Sequence, residues 1–109
     1  MVYSEDLAAR IRKALARRQG VAEKKMFGGI TFMLHGHMCC GVVNDELVLR
    51  LGPEQGEKAL KQLYTRKCDF TGRPLKGMVM VTPAGYKTDD ALQQWVRQAA
   101  DFVLSLPAK

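Results

Sequence analysis

The chain has 109 residues, 47% of them hydrophobic, which fits one compact domain with a sizeable core, and we read residues 1–109 as that domain. Seventeen Lys and Arg against eleven Asp and Glu leave a net charge of +6, which favours acidic partners: nucleic acid, an anionic protein face or a membrane surface. Three cysteines, two of them adjacent, do not make a secreted disulfide framework, and no apolar run reaches signal-peptide or membrane-spanning length, so we expect reduced thiols, a cytoplasmic location and no membrane partner.

Ser4 followed by Glu5 and Asp6 reads as a helix cap with acids in the first turn. Leu7, Ala8, Ile11, Ala14 and Leu15 then recur at helical spacing, and Gly20 suits the C-terminal stop. Arg10, Lys13 and Arg17 fall at i, i+3 and i+7, so this helix should bury one face and present a positive one. From Lys25 to Leu51 the pattern changes to short apolar runs, ITFML, MCCGVV and ELVLRL, punctuated by Gly28-Gly29, His35-Gly36 and Asn44-Asp45. Such runs predict an antiparallel meander. Gly52-Pro53-Glu54 opens a second helix that should end near Tyr64, with Ala59, Leu60 and Leu63 toward the core. A basic, turn-rich segment, TRKCDFTGRPLKG, precedes a strand at Met78 to Val81, which Pro83 and Gly85 terminate. Thr88, Asp89 and Asp90 cap a last helix whose Leu92, Trp95, Val96, Ala99, Phe102, Val103 and Leu106 crowd onto an arc of about 120°. The order of elements predicts an α+β fold: a single domain in which three helices pack against an antiparallel sheet.

The stretch His35-Gly36-His37-Met38-Cys39-Cys40 holds both histidines and two of the three cysteines, all types that bind zinc or copper. If His35-Gly36 is a two-residue turn, alternation puts His37 and Cys39 on one face and Cys40 on the other. A site built on His37, Cys39 and at most the turn residue His35 would then need Cys68 from a distant segment to complete four ligands, and no CxxC or HxxxH spacing helps. We expect a hairpin with buried thiols, no metal and no cofactor. Nucleophilic catalysis lacks an orienting Asp or Asn nearby, the carboxylate pairs Glu5/Asp6 and Asp89/Asp90 are explained by capping, and Gly28-Gly29 has no phosphate-loop spacing. The expectation is a protein without enzymatic activity.

The run KKMFGGITFMLHGHMCCGV, with the later GRPLKGMVMV and the closing WVRQAADFVLSLPAK, resembles the N-terminal domain of the TfoX/Sxy competence-regulator family. Lys25-Met26-Phe27-Gly28-Gly29, followed by a strand, a turn centred on glycine and a second strand, is the most specific part. The resemblance implies a small α+β fold and a role in regulating gene expression, as a coactivator or adaptor with no catalytic residues. It also implies a stand-alone domain, because the chain ends where the full regulators continue into a second, helical domain. Its candidate contacts to a regulatory protein or to nucleic acid are Arg10, Lys13, Arg17, Arg18, Lys24, Lys25, Arg73 and Lys76, with Arg66 and Lys67 beside them. Any nucleic-acid contact should be weak and non-specific, for no recognition helix or base-stacking aromatic pattern accompanies these charges. The alternatives are a protein-only adaptor, or a small thiol- or metal-dependent protein using His37, Cys39 and Cys68.

Overall fold

In a computed structural model describing residues 3–16, 18–26, 29–67 and 77–106, the Ser4 hydroxyl accepts the Leu7 N–H at 3.1 Å and starts helix α1 (Glu5–Ala14). Leu7, Ala8 and Ile11 are buried, as their spacing requires. The helix stops before Gly20. That glycine instead sits at φ +77° next to the first strand, where its carbonyl accepts the His35 N–H at 2.9 Å.

Among the described residues six strands form one sheet: β1 (Val21–Met26), β2 (Gly29–Leu34), β3 (His37–Val43), β4 (Glu46–Arg50), β5 (Thr65–Lys67) and β6 (Met78–Val81). Their spatial order is β1-β2-β3-β4-β6-β5, every neighbouring pair antiparallel. His35 (φ +52°) and Gly36 (φ +84°) make the predicted two-residue turn, with the positive dihedrals that match the twist of a tight hairpin. β1 and β5 go beyond the predicted meander. Both are edge strands made largely of exposed polar residues, held by backbone pairing on one side, so they carry no apolar alternation to read.

β2 and β3 approach closely because two glycines allow it. A Cβ on Gly29 would lie 1.9 Å from the Val42 carbonyl oxygen, and one on Gly41 would lie 2.5 Å from that of Ile30. Register also shifts between Phe32 and Met33: Phe32 faces Cys40 while Met33 faces Met38, which leaves Cys39 as an extra residue on β3. This is a β-bulge, and it puts both cysteines into the core.

Helix α2 (Gly52–Ala59) is shorter than predicted. Beyond it the chain turns to reach β5, and Leu63, expected in the core, is 79% exposed. A 3₁₀ turn (Pro83–Tyr86) leads to α3 (Asp89–Leu104), where the Thr88 hydroxyl accepts the Ala91 N–H at 3.1 Å. α1 and α3 lie together on one face of the sheet. Trp95, Val96, Ala99 and Val103 join Ile30, Phe32, Cys40, Val42, Leu47, Leu49, Val79 and Val81 in the main core. The α+β fold with three helices on an antiparallel sheet is therefore present. On the opposite face Val48 and Met80 are buried, with Met38, Val43 and Met78 partly so.

Candidate functional site

The described basic residues of the sequence reading are spread over α1, the turn after it, β1 and β5. Arg10, expected on a solvated face, turns inward: its Nη2 donates to the Tyr86 carbonyl at 2.9 Å and to Asp89 Oδ1 at 3.2 Å, and its guanidinium lies 5.6 Å from the Tyr86 ring centroid. Its side chain is 23% exposed. The electron-rich face of Tyr86 and the carbonyls of Tyr86 and Lys87, the latter at 3.3 Å, hold the cation there. Arg10 thus ties α1 to the 3₁₀ turn and the start of α3. Arg18 is half-buried, and its charge reaches Cys39.

Lys13, Lys24 and Lys25 are exposed. The strand register separates the last two, for Lys25 pairs with the core-facing Ile30 and Lys24 with Thr31 on the other face. Arg66 pairs with Glu46 through two bonds of 2.7 and 2.8 Å, and Arg12 does the same with Glu23 at 2.7 Å. The Arg12 pairing lowers the Glu23 carboxyl below its usual range, chiefly through those hydrogen bonds, and raises the guanidinium. Arg17, Arg73 and Lys76 lie outside the described residues.

The HGHMCC segment departs from its predicted alternation. The bulge at Cys39 carries Cys39 and Cys40 to the same side, both with 0% exposure, and His37 faces Leu34 on that side too. Cys40 hydrogen-bonds to Cys39 and is buried, which together push its thiol well above the ordinary value. The same hydrogen bond lowers Cys39, with burial opposing and Arg18 assisting. The predicted split between two faces is therefore wrong. Yet no three His, Cys, Asp or Glu side chains gather as a metal site requires among the described residues. Cys68, the distant fourth candidate, lies outside the described residues.

A different feature emerges where α2 ends early. The turn Gln62-Leu63-Tyr64, the 3₁₀ turn and one stripe of α3 enclose an open groove of about 480 Å³. Ala91, Gln94, Trp95 and Gln98 fall at i, i+3, i+4 and i+7, so they share that stripe. The Trp95 Nε1–H donates to the Gly85 carbonyl at 3.1 Å, which fixes the indole in the floor. Leu63 and Tyr64 stand exposed on the rim, and Tyr64 holds φ +69°, an uncommon conformation for an aromatic residue. None of the lining residues is charged. Sequence reasoning missed this groove because Leu63 continues the apolar spacing of α2. The two consecutive bulky residues after a short Pro-initiated helix were the available signal.

The TfoX N-terminal domain model matches the chain over residues 13–103, and the chain belongs to that family. No curated protein and no solved structure matches it.

Proposed function

We propose that this TfoX N-terminal domain is a non-catalytic regulatory module in the control of gene expression, and that it works by holding a regulatory protein. Family membership across nearly the whole chain supports the regulatory role. The observation that favours a protein partner is the uncharged groove with Leu63 and Tyr64 exposed on its rim. Exposed apolar and aromatic side chains beside a concave wall are what protein contacts use, whereas a nucleic-acid surface needs converging cations. Cells lacking the chain are expected to change the levels of a defined set of transcripts, restored when the wild-type chain is supplied. An unchanged transcript profile would sink the regulatory role.

A second reading, weak contact with nucleic acid, draws on the exposed Lys13, Lys24 and Lys25 and the net charge of +6. Phosphate attraction by such dispersed lysines is sequence-independent and salt-sensitive.

A further inference from the structure

We infer that the groove between the Gln62-Leu63-Tyr64 turn and α3 takes an extended, uncharged peptide segment carrying an apolar side chain. This deepens the reading of the chain as a protein-binding module and rests on it.

The occupant follows from the lining chemistry. On a chain of net charge +6, a groove of about 480 Å³ without a charged wall excludes phosphate and acidic ligands as its natural content. Its polar groups are three primary amides, Gln94 and Gln98 on one wall and Gln62 across from them. Each amide offers both donor and acceptor, which is the pattern a peptide backbone presents. A helix has satisfied its own backbone groups, so only an extended segment leaves N–H and C=O free for these side chains. The apolar part is supplied by the Trp95 ring in the floor and by Leu63 and Tyr64 on the rim, a setting for one aliphatic or aromatic side chain of the guest. Gly85 lets the 3₁₀ turn pack against β6 and the Tyr64 turn. A Cβ there would lie 2.5 Å from Val81 Cγ1 and 3.0 Å from Tyr64 Cβ.

A library of random dodecapeptides displayed on phage tests the assignment against the full chain. The enriched sequences are expected to share an uncharged core with one Leu, Phe or Tyr, and a synthetic peptide of that consensus should shift the emission of Trp95, the sole tryptophan. Leu63→Asp and Gln98→Glu, both at exposed positions, should each weaken that peptide tenfold or more while leaving the melting temperature unchanged. Three results would overturn the inference. The library gives no enrichment; or it enriches acidic peptides whose affinity survives Leu63→Asp, placing the contact on the lysines; or sedimentation shows Leu63-dependent self-association, making a second copy the occupant. The transcript profile judges the regulatory role separately, so a failed groove and a failed regulatory reading are told apart.

Discussion

Gly29 and Arg10 show how single residues in this chain serve the fold more than they serve a partner. The Lys25-Met26-Phe27-Gly28-Gly29 stretch, which carries much of the family resemblance, has its described glycine pressed against the β3 backbone, with no room for a methyl group beside the Val42 carbonyl. Backbone cannot move aside as a side chain tip can. Gly29→Ala is therefore expected to cost about 3 kcal/mol, at or beyond the upper end of ordinary overpacking, and a denaturant midpoint near that of wild type would contradict the strand contact. Arg10 can be judged the same way. Its bond to exposed Asp89, whose side chain is 80% exposed, is worth little, while its part-buried bond to the Tyr86 carbonyl and its place over the Tyr86 ring account for most of its contribution. Arg10→Ala should cost about 2 kcal/mol and Asp89→Ala under about 0.5 kcal/mol. Equal losses in the two variants, measured by urea unfolding, would mean that the surface ion pair is the real contact.

At the scale of elements, the sequence was legible wherever burial enforces a period. α1, the β2–β3 hairpin, β4, β6 and α3 all repeat apolar residues at the spacing of their geometry, and each lies where that spacing put it, although α1 stops six residues short of Gly20. What escaped was of two kinds. Edge strands β1 and β5 are stabilised by backbone bonds on one side, and their residue types are free to be polar. The bulge in β3 is the other kind, since one extra residue reverses the alternation behind it and no residue type announces it. The consequence fell directly on the candidate site: Cys39 and His37 keep the helix-facing side that Cys40 also faces, instead of opposing it. This makes the bulge testable by chain length. Cys39→Ala keeps the residue count and should fold with a loss of about 1 kcal/mol, the scale of a small group removed from a core. Deleting Cys39 takes out the extra residue and leaves Phe32 opposite Cys40, Met33 opposite Met38 and Leu34 opposite His37, so that variant should also fold, with a regular hairpin in place of the bulge. A deletion variant that is unfolded by circular dichroism would mean that Cys39 is not the extra residue of a bulge.

The molecule as a whole carries a net charge of +6, and the packing of the described members of the predicted basic set leads us to expect a weak hold on nucleic acid. Arg10 is turned into the contact between α1 and α3, and Arg12 and Arg66 are each matched by a two-bonded glutamate. Among the described residues this leaves Lys13, Lys24 and Lys25, with Lys67 on the far edge strand β5, as the exposed members of the predicted set outside those glutamate pairs. A duplex approaching one side of the sheet meets Lys24 or Lys25 but not both, since their register places them on opposite faces. Two phosphates neutralised at once correspond to a slope of log K against log salt of about −2, by the release of condensed counterions. Affinity of that kind is lost by physiological ionic strength, where the screening length is about 8 Å. Titration of labelled duplex DNA across salt concentrations is expected to show this shallow slope, and Lys13→Glu/Lys25→Glu should remove the binding without altering the melting temperature. Arg10→Ala should lower stability and leave the DNA affinity within twofold. A slope of about −4 or steeper, with micromolar binding persisting at physiological salt, would require a coherent cationic face and would transfer the regulatory contact from the uncharged groove to nucleic acid.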